Sequence, residues 1–276
     1  EKAKNLEKDE RYSIFVNVKA LVLYKFGSVI LNGTDNIIIS AIVGITAVGI
    51  NSNYVLIVSA IEAIIGQIMN GFTASVGNLN AIGSRESKER VFNKIFFVSA
   101  WISGFCAIGL LLFLNKLIIL WLGMSYVFPD LVVLAIVLHF FVNSMQFATY
   151  VYRITMGLFV QGKWAPLLAA VINIILSLWL GKLLGVAGIL FATSISRLLT
   201  TGIVDPILVY KKGFKKNPLT YYIRYFAFVG LFTGLYFLMK YVISLINVTG
   251  FLDFALGIII VSILFLVIFL NQHILA

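Results

Sequence analysis

The chain has 276 residues, of which 61% are hydrophobic and only 12% are charged, and its mean hydropathy is +1.03. Such a composition excludes an ordinary water-soluble domain and predicts a polytopic membrane protein. The net charge is +10, but the basic residues fall in short clusters between apolar runs instead of forming one basic surface, which argues against nucleic-acid binding.

Eight apolar runs are long enough to cross a bilayer, because a helix needs about 20 residues to span roughly 30 Å of hydrocarbon. In chain order the predicted spans are 20–42, 54–76, 95–114, 131–151, 165–183, 186–209, 225–243 and 254–270. The fold class is therefore an all-α polytopic membrane helix bundle. The connecting loops are short and leave no room for a soluble catalytic domain, so we do not expect an enzyme, a cofactor or a metal site.

Lysine and arginine residues concentrate on alternate loops. With the N-terminus in the cytoplasm, 16 of the 21 basic residues lie on the inner side. The outer loops carry three lysines, Lys116, Lys182 and Lys240, and two basic residues lie inside spans. The positive-inside rule thus predicts a multi-pass protein of the cell membrane with both termini in the cytoplasm.

Several spans gather their polar residues on one helical face, within arcs of about 80° to 100° at about 100° per residue. The stripes are Lys25, Ser28, Asn32, Asp35 and Asn36 in the first span, Ser59, Glu62, Gly66, Asn70 and Thr73 in the second, and His139, Asn143, Gln146, Tyr150 and Arg153 in the fourth. Such stripes can be explained equally well by hydrogen bonds between helices and by a polar pathway through the bundle. For Asn173 and Ser177 in the fifth span we favour helix contact.

Arg197 lies near the middle of the apolar run 186–209. Because a cation at the bilayer centre costs about 2.5 to 3.5 kcal/mol on insertion scales, it normally faces a bundle interior or a wet cavity. We therefore predict that a polar, anionic group meets Arg197. Lys25 and Arg153 lie closer to the span ends, where a long side chain can also reach the head groups.

Three further residues are candidates for ion coupling. Asp35 and Glu62 are the acids that we assign to spans, and either could bind a coupling ion or pair with a cation such as Lys25. His139 could relay protons, since histidine titrates near neutral pH, or simply bond to a neighbour.

The last two spans carry few polar residues and are predicted to be peripheral. Gly230 and Gly234 form a GxxxG pattern in the seventh span, which predicts a close helix contact.

Four stretches of the chain carry a resemblance to a known family. They are GTDNIIIS at 33–40, VG at 43–44 with VGINSNY at 48–54, NIILS at 173–177 and GVAGILFATSIS at 185–196. In order and spacing they resemble the polysaccharide repeat-unit flippases (Wzx type) of the multidrug, oligosaccharidyl-lipid and polysaccharide exporter superfamily. The resemblance runs from the start of the chain to about residue 200.

Members of this superfamily have two six-helix lobes with the substrate cavity between them. The resemblance implies that this chain is the C-terminal half: a cytoplasmic connecting segment at 1–19, a MATE-like six-helix transport lobe at 20–210, a basic cytoplasmic loop at 211–224 and a peripheral two-helix hairpin at 225–276. Because alternating access rocks one lobe against the other, we expect it to need the missing N-terminal lobe or a second copy.

The resemblance also implies a function: flipping of polyprenyl-diphosphate-linked oligosaccharides for O-antigen, capsule or related surface polysaccharide. Cations offset a diphosphate and amides bind sugar hydroxyls. The expected substrate ligands are Arg197, Arg153, Lys25, Asn32, Asn143 and Gln146, with membrane lipids as further partners. Two alternatives remain, a multidrug cation antiporter with an acid-lined cavity and a membrane assembly subunit that does not transport.

Overall fold

A computed structural model describes residues 8–158, 160–245, 256–263 and 265, without the side chains at 8–10, 13 and 32. Within these ranges the chain is helical and has no strands. The helices are α1 (Lys8–Gly33), α2 (Asp35–Ile42), α3 (Ile45–Ile82), α4 (Arg85–Leu122), α5 (Asp130–Met145), α6 (Phe147–Thr155), α7 (Ala165–Leu184), α8 (Val186–Leu199), α9 (Thr201–Leu208) and α10 (Leu219–Ser244). A π-helical turn, Val209–Phe214, continues α9, and residues 256–263 and 265 are also helical.

Seven helical segments in the described ranges are long and apolar enough to cross a membrane. They correspond to the first seven predicted spans, whereas most of the eighth, 254–270, lies outside the described residues. Helices α3 and α4 have 38 residues each. At a rise of 1.5 Å per residue each is about 57 Å long, well beyond the roughly 30 Å of hydrocarbon. The hydropathy window therefore found only the apolar middle of these two helices.

Helix α8 is the centre of the bundle and packs between α5 and α7. The spans formed by α5 with α6 and by α8 with α9 are the most buried, with 61% of the apolar window buried in each, whereas at most 33% is buried in the other five. Exposed apolar residues such as Phe26, Ile64 and Phe226 cover these outer faces. Because acyl chains solvate such side chains, this distribution suits a bundle surrounded by lipid.

Glycines allow the closest helix contact, between α7 and α8. A Cβ atom at Gly188 would collide with the backbone carbonyl of Leu180, and one at Gly181 would lie 2.9 Å from Cγ1 of Ile189. By contrast, no described atom lies within 4 Å of a Cβ added at Gly230 or Gly234. The close contact predicted for the GxxxG pattern of α10 is therefore wrong for the described part of the chain.

Three of the seven spans are broken at one residue where the sequence predicts continuous helices, although Thr34 and Gln146 keep helical backbone angles and only Thr200 departs from them. Helix α1 gives way to α2 at Thr34, α5 to α6 at Gln146, and α8 to α9 at Thr200. Thr200 has φ −117° and ψ −87°, and its hydroxyl donates to the carbonyl of Ser196 at 2.6 Å. Pro206 inside α9 removes a further backbone donor. Helix breaks at membrane depth are tolerated where the backbone is buried in protein or lines a polar cavity.

Candidate functional site

The breaks in two spans meet at a buried junction. Oγ1 of Thr201, at the start of α9, donates to Oε1 of Gln146 at 3.0 Å. Gly202 lies against the same amide, since an added Cβ would be 3.1 Å from Nε2 of Gln146. That nitrogen has no hydrogen-bond partner among the described residues. The structure thus places Gln146, one of the predicted ligands, between the two broken spans. Its side-chain NH₂ group has no acceptor among the described residues.

Arg197 is in the last turn of α8, immediately before the break. Its side chain is half-buried. It is within the electrostatic range of the carboxylates of Asp35 on α2 and Glu62 on α3, and it lies near Tyr24 of α1. The side chain therefore faces other helices and is within the electrostatic range of two carboxylates.

Two more predicted residues connect α3 to α5 near Arg197. Nδ2 of Asn143 donates to Oε1 of Glu62 at 3.0 Å. His139, one turn earlier on α5, is half-buried and within the electrostatic range of Arg197. The side chains of Glu62, His139 and Asn143 are each partly exposed. We call the following residues the central site: Glu62, His139, Asn143, Gln146 and Arg197.

The central site lies between two helices that make few contacts with each other. Helix α1 packs mainly against α7, whereas α3 packs against α2, α4 and α6. Arg197 nevertheless lies near side chains on both α1 and α3. Apart from the buried Gln146, the central-site residues are partly exposed, close to where α1 and α3 are not packed against each other.

Arg153 occupies a different and fully enclosed place. Its Nε lies 3.2 Å from Oδ1 of Asp205 on α9, and its Cζ is 3.9 Å from the ring centre of Tyr24. The arginine and aspartate side chains are only 2% and 4% exposed. The predicted role of Arg153 as a substrate ligand does not fit this geometry, because the guanidinium would first have to leave its carboxylate. The pair connects α6, α9 and α1 instead.

Asp205 was missed in the sequence. Only Asp35 and Glu62 were assigned to spans, although Asp205 lies inside the predicted span 186–209. An acid in an apolar run, next to a proline, is itself a signal of a buried partner. With Asp205 included, three acids and two arginines lie in the described interior.

Asp35 is held by α7 and α8 through a chain of hydrogen bonds. Oγ1 of Thr193 lies 2.9 Å from both carboxylate oxygens of Asp35. Nδ2 of Asn173 donates to Oγ1 of Thr193 at 2.8 Å, and Oγ1 of Thr34 donates to Oδ1 of Asn173 at 3.2 Å. We call these four residues, with the carbonyl of Ile189 that lies 3.3 Å from Oγ1 of Thr193, the Asp35 cluster. The predicted helix contact of Asn173 is confirmed, and Asp35 takes part in it.

The two remaining predicted ligands are not placed in either site. Lys25 is exposed on α1, and no ion pair joins it to Asp35 within the described residues. The side chain of Asn32 lies outside the described part of the structure.

Comparison with protein-family models, curated proteins and solved structures finds no match to this chain. The likeness to flippases therefore rests on the sequence stretches that carry it. Residues from three of those stretches, Asp35, Asn173 and Thr193, meet in the Asp35 cluster.

Proposed function

We propose that this chain is a MATE-like transport lobe that flips polyprenyl-diphosphate-linked oligosaccharides across the cytoplasmic membrane. The observation that carries the proposal is the half-buried Arg197 at the junction of broken helices, among amide, imidazole and carboxylate groups. Arg197 lies about 17 Å along the axis from the start of α8, close to half of the roughly 30 Å hydrocarbon thickness. Transporters bind substrates near this depth, where helices are discontinuous.

The chemistry of the central site suits a lipid that carries both phosphate and sugar. A guanidinium binds phosphate oxygens in a bidentate way and keeps its charge in a site of low polarity. The spare Nε2 donor of Gln146 is positioned to bind a sugar hydroxyl. Asn143 is committed to Glu62 in this structure, so we propose that substrate binding competes with that hydrogen bond.

The accessible side between α1 and α3 supports a requirement for a second lobe. A polar site that is open on one side of a membrane bundle needs cover from protein or water, because acyl chains offer no hydrogen bonds. We propose that a first lobe or a second copy of this chain supplies that cover and closes the pathway.

The Asp35 cluster is the best candidate for the coupling ion. It presents oxygen atoms from a carboxylate, two hydroxyls, an amide and a backbone carbonyl within one hydrogen-bonded group. Hard cations prefer oxygen ligands, and discontinuous helices in transporters provide such sites for Na⁺ or H⁺. We propose that a monovalent cation or a proton replaces the Thr193 hydrogen bond at Asp35.

One observation favours a second function, export of organic cations. The acids Asp35, Glu62 and Asp205 outnumber Arg153 and Arg197 in the described interior. Because Arg153 neutralises Asp205, the excess of acids over arginines comes from Asp35 and Glu62. If Glu62 binds an organic cation, Arg197 would oppose that cation, whereas it would assist a phosphate.

The test is a flipping measurement in the intact protein in cells. Arg197→Gln should reduce the appearance of lipid-linked glycan on the outer leaflet by about tenfold or more, because a charge-assisted bond to phosphate contributes about 1.5 to 3 kcal/mol. Lys182→Gln, at an exposed position of α7, is the matched control and should leave flipping unchanged. Normal flipping by Arg197→Gln at normal expression, or resistance to toxic organic cations that depends on Glu62, would overturn the proposal in favour of another function.

A further inference from the structure

A cavity of 1020 Å³ lies on the other side of the bundle, between α4, α5 and α10, and none of the central-site residues lines it. Among the described residues, its charged lining residues are Lys116 of α4, Lys240 of α10 and Asp130 of α5. All three lie near the same end of the bundle, where α4 and α10 end and α5 begins. Two of the three lysines that the sequence assigns to the outer side thus meet at one cavity.

The rest of the described lining is mostly apolar and continues away from the charged end. On α10 it extends from Lys240 back to Val229, and on α5 from Asp130 to Phe141. Eleven residues of helix correspond to about 16 Å, which matches one leaflet, half of the roughly 30 Å of hydrocarbon. Leu134 and Phe237, 44% and 62% exposed, lie on its lining, so the cavity opens sideways towards the acyl chains.

The two ammonium groups are available to a ligand. Neither lysine has a carboxylate within 4.0 Å in the described part of the chain. Lys240 Nζ is 5.9 Å from the ring centre of Tyr236, and Lys116 Nζ is 5.8 Å from that of Phe113. Nδ2 of Asn115 donates to Oδ1 of Asp130 at 3.3 Å. The negative charge of Asp130 partly offsets the positive charges of the two lysines.

We propose that this cavity binds a membrane phospholipid with a net-anionic head group. The phosphate lies between Lys116 and Lys240, and one acyl chain fills the apolar cavity along α5 and α10. Charge complementarity selects the head group, and the one-leaflet depth selects an amphiphile over a soluble anion. The site is independent of the central site, so it does not depend on the transport proposal.

The test is lipid retention by the purified full chain, measured by native mass spectrometry from micelles with equal amounts of phosphatidylglycerol and phosphatidylcholine. A basic residue near a membrane surface favours an anionic lipid by about fivefold. We expect a preference for phosphatidylglycerol of about fivefold or more. It should fall to about one in the Lys116→Gln, Lys240→Gln double variant and remain in Lys182→Gln, which removes the third outer lysine.

Two further variants separate binding from misfolding. Asp130→Asn removes the opposing charge and should raise the preference for phosphatidylglycerol, a gain that a folding defect cannot produce. Leu134→Trp fills the cavity from its exposed side and should reduce retention of both lipids. Equal retention of the two lipids by the unmodified chain, retention of neither, or a reduced preference in Asp130→Asn would overturn the proposal.

Discussion

Nε of Arg153 and Oδ1 of Asp205 are 3.2 Å apart, and neither side chain is more than 4% exposed. The pair joins α6 to α9, two half-helices that follow the breaks at Gln146 and Thr200. The stack of the guanidinium on Tyr24 adds α1 to the same contact. A charge pair therefore connects the broken parts of two central spans at one end of the bundle.

Removal of one partner of this pair should be far more harmful than removal of both. Asp205→Ala leaves the Arg153 charge buried without compensation, so we expect a loss of about 3 to 5 kcal/mol in unfolding free energy. Arg153→Met combined with Asp205→Leu should recover most of that loss. Thermal unfolding of the purified protein in detergent measures both. The exposed pair Lys216 and Glu89 is the control, since Lys216→Ala should cost less than about 1 kcal/mol. Additive losses in the double variant would contradict the buried pairing.

Two glycine substitutions should differ sharply although both lie in spans. Gly188→Ala places a methyl group against the backbone carbonyl of Leu180, which cannot rotate away, and we expect a loss of about 1 to 3 kcal/mol. Gly234→Ala meets no described atom within 4 Å and should be neutral or slightly stabilising. The melting temperatures of the two variants decide the matter, and equal values would show that α7 and α8 are farther apart than described.

The Asp35 cluster should make the stability of the protein depend on a cation. If Na⁺ binds the folded state only, a concentration of 100 times its dissociation constant stabilises the protein by about 2.7 kcal/mol. We expect the melting temperature to rise with Na⁺ relative to choline, and the rise to disappear in Asp35→Asn and shrink in Thr193→Val. Glu62→Gln should retain the rise, because that carboxylate is bonded to Asn143 outside the cluster. A response that depends on Glu62 instead would move the ion site to the central site.

The hydrogen bond between Thr201 and Gln146 should be measurable but weak. Side-chain bonds between membrane helices average about 0.6 kcal/mol in double-mutant cycles. A cycle of Thr201→Val and Gln146→Leu should give a coupling energy of that size. Zero coupling, with each single variant stable, would show that the two helix breaks are not joined through these side chains.

Hydropathy was sufficient to predict seven spans because an apolar run of about 20 residues reports a segment that can cross the membrane, although α3 and α4 extend well beyond their apolar runs. It could not predict the breaks at Gln146 and Thr200. Both residues are compatible with a continuous helix. The hydrogen bond between Thr201 and Gln146 forms only when the two spans pack together, so the sequence of one span does not report it. The local sequence pattern therefore predicts the helices but not the residues at which they are interrupted.

The polar stripes predict which helix faces are polar, but not which residues on other helices these faces bond to. The stripe on α5 correctly placed Asn143 in the interior, yet its partner Glu62 is 81 positions away. Arg153 and Asp205 are on spans whose adjacency no one-dimensional period reports. The sequence therefore predicts Arg153 as a ligand, whereas in the structure it is paired with Asp205. Charge placement predicted that Arg197 needs an anion, and the packing decides which anions are near.

The central claim is that Arg197 lies in a polar, water-accessible site open to a phosphate-bearing lipid, and cysteine labelling tests it most directly. Cys106→Ala provides a cysteine-free background, since the chain has one cysteine. Hydrophilic thiosulfonates react only with thiolates in water. His139→Cys, which leaves Arg197 in place to bind phosphate, should therefore be labelled, and a polyprenyl diphosphate sugar should slow that labelling severalfold. Leu199→Cys, at a position 55% exposed on the outer face of the bundle, should not react. No labelling at position 139, or labelling that the phosphate-bearing lipid leaves unchanged, would contradict the account.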